Sequence, residues 1–199
     1  MKGIQTVVAT INSLASSYNL QSLEIGGNLP KFLAVGGINR SLPVAFNRVH
    51  RLCLANLELT DSDVFRFTHG MLQSCPVIKD LEISVQVSES ELDLENHPNL
   101  LTALVKIIRP SDAVEHSNVH QCNHHYDYEL RKLQKVKITG ITGSSAELKF
   151  IEYVLANSTV LEIMLFKCEK LDAVSELKVL KQLIRFPKAS TKAQFVYLE

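Results

Sequence analysis

One spacing of apolar residues recurs along this chain and restricts how it can fold. The pattern is L-x-x-L-x-L, with other large aliphatic residues allowed at the L positions, and it starts at residues 20, 49, 78, 133 and 160. The intervals between successive starts are 29, 29, 55 and 27 residues. A unit of this length cannot bury its own apolar face, so similar units must stack against it. We therefore predict an α/β fold, a leucine-rich-repeat solenoid with a parallel strand face and helices on the opposite side.

The 55-residue interval is close to two periods of this repeat. It predicts one degenerate repeat between the third and fourth starts, around Leu101–Ile108. A helix is also predicted ahead of the first strand, because apolar residues recur at helical spacing between residues 3 and 14. Another is predicted over Asp61–Leu72, with Thr60 or Asp61 as its cap.

The stretch from Leu133 to Leu165 is predicted to form a strand, a turn, a helix, a turn and a second strand. The residues expected to face the core are Leu133, Val136 and Ile138 in the first strand and Val160, Ile163 and Leu165 in the second. A further helix is predicted over Asp172–Ile184. Its predicted core-facing residues are Val174, Leu177, Leu180, Leu183 and Ile184.

Residues between the apolar positions of each strand should project outward and form a concave surface. The surface is predicted to run from mixed through acidic to basic along the chain, with Met164 among its members. For any single one of these side chains, ordinary solvated surface is the simpler interpretation. The candidate partner-binding residues are Glu24, Arg51, Asp80, Glu82, Lys135, Lys137 and Glu162.

The composition excludes some partners and favours others. The chain has 199 residues and 21 basic against 21 acidic side chains, so nothing in its net charge favours nucleic acid or an anionic membrane. Tryptophan is absent and the aromatic content is 7%, which does not favour a base-stacking platform. Residues 61–130 nevertheless hold four basic against twelve acidic side chains, and residues 131–199 hold twelve against seven. This pattern is typical of solvated repeat faces, or of a polar recognition surface whose binding weakens with salt.

The cysteines and the chain's start favour an intracellular location. Four widely spaced cysteines form no CxxC pair, which is typical of reduced thiols. The first residues are not those of a secretory signal peptide. The longest apolar stretch, Leu100–Ile108, is far too short to span a bilayer. We predict a protein of the cytoplasm or nucleus.

A histidine-rich segment provides the alternative function, a metal-binding or enzymatic module using residues 116–125. Its residues are of the types that zinc prefers: His116, His120, Cys122, His124 and His125. Their spacing matches no strong metal-binding pattern, and a polar loop whose histidines happen to cluster explains them better. We therefore expect no metal, no cofactor and no catalytic residues.

A glycine turn precedes the helix that follows residue 144. Gly140-x-x-Gly143-Ser144-Ser145 could cradle a phosphate on its free amides, but it lacks the lysine of a Walker A loop. Ser144 and Glu147 have the spacing of a capping box. We interpret the segment as a turn and a helix cap.

The stretch VKITGITGSSAELKFIEYVLANSTVLEIMLF resembles the core of the plant FBD domain, which follows leucine-rich repeats in F-box/FBD/LRR proteins. RFPKAS is similar to the family's arginine-containing ending, with Lys188 in place of arginine. SCPVIKDLEI resembles a repeat that is common in these proteins. The resemblance covers residues 45–199. In the FBD-like stretch it rests on Val136, Ile138, Gly140, Gly143, Glu147, Leu148, Val154, Leu155, Asn157, Ser158, Leu161, Glu162 and Leu165.

The resemblance implies a leucine-rich-repeat region over residues 1–100 and an FBD-like domain over residues 101–199 that continues the same solenoid. It also implies a non-catalytic protein-interaction scaffold, similar to the substrate-recognition part of an F-box/FBD/LRR ubiquitin-ligase receptor. The expected partner is a protein of unknown identity.

A possible F-box lies at Leu29–Pro43, which echoes the Leu-Pro outline of that motif. It carries Gly36 and Gly37 where a helix is needed, and each glycine inside a helix costs about 1 kcal/mol relative to alanine. We predict that the chain lacks an F-box. Binding to the ligase adaptor is not expected without one.

Overall fold

The computed structural model describes residues 20–26, 45–86 and 129–198. Strands and helices alternate through most of these ranges, as the repeat spacing predicts. In chain order the elements are β1 (Ser22–Ile25), β2 (Arg51–Leu57), α1 (Ser62–Ser74), β3 (Asp80–Val85), β4 (Lys135–Ile141), α2 (Ser145–Asn157), β5 (Ile163–Cys168), α3 (Ala173–Arg185) and β6 (Gln194–Tyr197).

The six strands form one sheet in the order in which they occur along the chain, and every neighbouring pair is parallel. The pairing also begins in register. The first residues of the strands therefore form a single row: Ser22, Arg51, Asp80, Lys135, Ile163 and Gln194. The predicted α/β arrangement with a parallel sheet is confirmed.

The sheet corrects the expectation of an additional repeat. A repeat within the 55-residue interval would place its strand between β3 and β4, but these two strands pair directly, with Asp80 opposite Lys135. The prediction that a repeat strand lies between them is therefore wrong. Leu101–Ile108 and the helix predicted within residues 3–14 lie outside the described residues.

Side chains on alternate strand positions and on the helices share one hydrophobic core. Leu52, Leu81 and Val136 are fully buried, and they belong to the same cluster as Phe67 of α1 and Phe150 of α2. The helices thus pack on one side of the sheet, as a parallel sheet requires. The side chains at the intervening strand positions are left on the other side.

Helix α1 begins as predicted, with Asp61 as its N-cap. The Asp61 carboxylate accepts hydrogen bonds from the amides of Asp63 (2.8 Å) and Val64 (3.4 Å), so two amides at the exposed helix end have an acceptor. Val64 and Leu72 are then buried against the sheet.

The structure shifts the predicted phase of β5 by one residue. Leu161, rather than Val160, occupies the position equivalent to Leu133, and Met164 is fully buried opposite Val136. Ile163 is only partly buried. The cause is that Val160 and Leu161 are adjacent and that residues 163–166, Ile-Met-Leu-Phe, are apolar at every position. Without alternating polar residues, the sequence fits either face of the sheet.

The structure also corrects the buried face of α3. Val174, Leu177 and Ile184 are 62%, 50% and 64% exposed, whereas Val179 and Leu183 are buried. Apolar residues occur on more than one flank of this helix, and only one flank meets the core. Helical spacing alone therefore does not identify the packed side.

Within residues 20–26, 45–86 and 129–198, no helix is long and apolar enough to cross a membrane.

Candidate partner-binding face of the sheet

On the side of the sheet opposite the helices, two cross-strand rows of side chains extend over all six strands, and together we call them the outward face. Because the strands pair in register, equivalent positions stand next to one another. The first row is Ser22, Arg51, Asp80, Lys135, Ile163 and Gln194. The second row is Glu24, Cys53, Glu82, Lys137, Leu165 and Val196.

Glu82 joins three neighbouring strands of the outward face. Its Oε2 accepts a hydrogen bond from Arg51 Nη2 at 2.9 Å, and its Oε1 accepts one from Lys137 Nζ at 2.7 Å. The hydrogen bond from Lys137, together with that from Arg51, lowers the pKa of the Glu82 carboxyl, although partial burial opposes the shift. The hydrogen bond to Glu82 in turn raises the pKa of Arg51. The Glu82 carboxyl is therefore ionised at neutral pH, and its two hydrogen bonds hold the Arg51 and Lys137 side chains in place.

Cys53 stands beside this cluster, in register with Glu82. It is a free cysteine and is partly exposed. Burial, and then the nearby carboxylates of Glu82 and Glu24, raise the pKa of its thiol. The side chain therefore presents a neutral thiol at physiological pH, which is a small and weakly polar contact surface.

Three of the other predicted residues also lie on the outward face but are not joined: Glu24 on β1, and Asp80 and Lys135, which stand opposite each other on β3 and β4. Glu162 lies one residue before β5 and in neither row, because the corrected phase of β5 gives the outward positions to Ile163 and Leu165. Throughout the part of the chain that the structure describes, no ion pair within 4 Å involves these four side chains. The structure thus brings together Arg51, Glu82 and Lys137 and leaves the others exposed or partly exposed around them.

An apolar region missed by the sequence prediction completes the outward face. Ile163, Leu165 and Val196 are partly exposed on β5 and β6, where the first two stand in register with Lys135 and Lys137. The error in the phase of β5 hid this region. The apolar run at residues 163–166 was the available signal, because successive apolar residues in a strand place hydrophobic side chains on both of its faces.

The glycine turn before α2 holds a protein carboxylate where the alternative interpretation would place a phosphate. Glu147 Oε2 accepts hydrogen bonds from the amides of Thr142 (2.9 Å), Gly143 (2.9 Å) and Ser144 (3.2 Å). Its Oε1 accepts one from Thr142 Oγ1 at 2.8 Å, and Ser144 Oγ accepts from the Glu147 amide. The predicted capping box is confirmed. These amides are thus already satisfied from within the chain.

The alternative metal site is not tested by the structure. His116, His120, Cys122, His124 and His125 lie outside the described residues, so the expectation that they bind no metal stays a prediction. Among the residues that are described, no group of three or more His, Cys, Asp or Glu side chains is placed to hold a metal ion. The segment Leu29–Pro43, which echoes an F-box, also lies outside them.

Comparison with known proteins supports the resemblance seen in the sequence. The FBD family model matches residues 130–166, which include β4, α2 and part of β5. An F-box/FBD/LRR-repeat protein of Arabidopsis thaliana is 25% identical over 170 residues, or 85% of this chain. A putative F-box/FBD/LRR-repeat protein of the same plant is 28% identical over 130 residues, or 64% of this chain. The chain is therefore similar to F-box/FBD/LRR-repeat proteins, and the FBD match falls on residues 130–166.

The chain corresponds to only part of each of these relatives. It covers 36% of the length of the first relative and 23% of the second. No solved structure gives a significant match. The predicted boundary between a repeat region and an FBD-like domain, at residues 100 and 101, falls outside the described residues and stays a prediction.

Proposed function

We propose that this chain is a non-catalytic protein-interaction unit that binds a protein partner through the outward face of its sheet. The observation that supports this most directly is the combination of side chains on that face. A charged cluster held together by Glu82 stands beside partly exposed Ile163, Leu165 and Val196. Protein interfaces commonly combine an apolar centre with a polar and charged rim.

The physical roles of the two regions differ. Removing Leu165 and its apolar neighbours from water would supply most of the binding free energy, because burial of apolar surface is worth about 25 cal/mol per Å². The cluster of Arg51, Glu82 and Lys137 would contribute orientation and partner choice more than affinity. Its side chains are already ordered by their mutual hydrogen bonds, so less conformational entropy is lost when the partner binds.

The six in-register parallel strands support a second part of the proposal, that they belong to a leucine-rich-repeat solenoid. Neighbouring strands of a sheet are about 4.8 Å apart, so the outward face measures about 24 Å from β1 to β6. A surface of that size suits a folded protein or a long peptide. We further propose that the chain supplies the substrate-recognition part of an F-box/FBD/LRR-type ubiquitin-ligase receptor.

Proximity labelling in plant cells tests the proposed surface. Glu82 and Lys137 are both charge-reversed in one variant (E82K/K137E), and Leu165→Asp interrupts the apolar region in a second. The matched control is K149E/E152K, which also reverses one cation and one anion but lies on exposed positions of α2. We expect both outward-face variants to lose the same labelled proteins while the control retains them. An unchanged labelled set in both variants would reject the outward face as the binding surface.

A further inference from the structure

Helix α3 has an exposed apolar stripe in addition to the face that it packs against the core. Val174, Leu177 and Ile184 are each at least half exposed, at 62%, 50% and 64%. They lie apart from Val179 and Leu183, which are buried in the hydrophobic cluster. Large aliphatic side chains that recur along one flank of a surface helix are typical of an interaction site.

The neighbouring helix does not cover this stripe. A groove between α2 and α3 is lined by Gln182 of α3, by Phe186 at the C-cap of that helix and by Leu148 of α2, which identifies the flank of α3 that faces α2. At 100° per residue, Leu177 and Ile184 lie on the opposite flank. The stripe therefore faces away from the neighbouring helix of the same layer.

The spacing of the stripe is that of a seam between two helices. Val174, Leu177, Lys181 and Ile184 are separated by three, four and three residues, which is the a/d spacing of helices that pack side by side. Three of the four seam positions are apolar, and lysine occupies the other. A helix of 13 residues is about 20 Å long, which provides nearly two heptads of contact.

The charges around the stripe are basic. Lys178 and Arg185 follow the seam along its edge, and Lys181 lies within it. In the described parts of the chain, no ion pair within 4 Å involves these three cations. The acidic residue of the first turn, Glu176, instead accepts a hydrogen bond from the Tyr197 hydroxyl of β6. The exposed surface of α3 is therefore apolar and cationic.

We propose that this stripe binds an acidic amphipathic helix of a partner protein. The partner's apolar residues would cover Val174, Leu177 and Ile184, and its carboxylates would face Lys178, Lys181 and Arg185. A second copy of α3 fits poorly, because it would bring cations against cations. The stripe lies on the helix layer, so this interaction is independent of the one proposed for the outward face of the sheet.

Binding of designed helical peptides to the full chain tests the proposal. The probes are a three-heptad peptide with leucine along its seam and glutamate on both flanks, and the same peptide with lysine on its flanks. Calorimetry should show that the acidic peptide binds at least about tenfold more tightly than the basic one. L177S/I184S should weaken acidic-peptide binding by about tenfold or more. The matched control V160S changes an apolar residue that is 43% exposed in a turn before β5, and it should have no effect.

A variant with reversed charges tests the role of the three cations without removing any apolar side chain. In K178E/K181E/R185E the preference should change from the acidic to the basic peptide. Equal affinity for the two peptides, or no change of preference in this variant, would overturn the proposal. Two further results would also overturn the proposal. If the chain dimerises in a concentration-dependent way and L177S/I184S abolishes the dimer, the occupant of the stripe is a second copy. If the chain binds phosphatidylserine vesicles and this binding requires Leu177 and Ile184, the occupant is a lipid surface.

Discussion

Lys137 donates a hydrogen bond to the Glu82 carboxylate at 2.7 Å, although the two residues are 55 positions apart in the sequence. The contact joins β3 to β4 on the outward face and depends on the direct pairing of those strands. The two side chains are 37% and 26% exposed. An ion pair with this much solvent access contributes more to the arrangement of the surface than to its stability.

Glu82→Gln should accordingly lower the free energy of unfolding by less than about 1 kcal/mol at pH 7. The hydrogen bond from Lys137 lowers the pKa of Glu82 below its ordinary value of 4.5, so the stabilisation is present above that pH and is lost as the pH falls through the lower folded-state pKa. Urea unfolding at pH 7 and pH 3 would measure both effects. A loss of the same size at both pH values would contradict the role of the ionised carboxylate.

Glu147→Ala should destabilise the chain much more. The carboxylate is 3% exposed and accepts hydrogen bonds from three backbone amides and the Thr142 hydroxyl. Without it these donors lose their acceptor, and we expect the free energy of unfolding to fall by about 2–4 kcal/mol. Denaturant titration would measure the change. The control is Glu152→Ala, at an exposed position of the same helix, which should change stability by less than about 0.5 kcal/mol.

Gly140→Ala should destabilise the chain, because the backbone conformation at this position is unfavourable for alanine and there is no room for an added Cβ. Gly140 has a φ of +80°, and an added Cβ would lie 2.4 Å from the Val85 carbonyl oxygen. We expect a loss of more than about 2 kcal/mol, since a backbone atom within the sheet cannot move aside. Gly26→Ala provides the comparison: its Cβ would lie 3.3 Å from the Ala55 Cβ, without a positive φ. Thermal unfolding that shows similar losses in both variants would argue against the close approach at Gly140.

His69 should make the chain less stable in mild acid. It is 2% exposed on α1, its Nδ1 donates to the Phe65 carbonyl at 3.0 Å, and its ring lies against the ring of Tyr153 of α2. Burial lowers the pKa of His69 below its ordinary value of 6.5. The unfolded chain therefore takes up a proton more readily than the folded chain, and the free energy of unfolding should fall as the pH drops below about 6.5.

Urea unfolding between pH 7.5 and pH 5 would show this dependence, and His69→Gln should reduce its slope. Comparison with this variant separates the contribution of His69 to the pH dependence of stability from that of carboxylates, which titrate at lower pH. Parallel pH profiles for the two proteins would exclude His69 as the source of the dependence.

The sequence predicted the elements better than it predicted which faces are packed. Four of the five repeat starts are equivalent in the sheet, and Ser144 with Glu147 forms the expected capping box. The fifth start is displaced by one residue, from Val160 to Leu161. Two adjacent aliphatic residues fit the repeat equally well there, so the local pattern contains no information that separates them.

For the candidate site too, the sequence predicted the positions of residues along the strands better than it predicted their contacts. The sequence correctly placed Arg51, Glu82 and Lys137 on the outward positions of their strands, because polar residues alternate there with apolar ones. It did not reveal that Glu82 bonds to both of the others. It also did not find the exposed apolar side chains of β5 and β6, because no polar residue marks the outward positions at the start of β5.

The sequence by itself therefore determined the repeating strand–helix pattern, the glycine turn with its cap, and the family resemblance. All of these depend on residues close together in the chain. Only the tertiary structure decided that β3 pairs directly with β4, that Met164 rather than Ile163 enters the core, and that one flank of α3 is left exposed. These outcomes depend on which elements meet across long sequence separations, where packing selects among faces that local periodicity leaves equivalent.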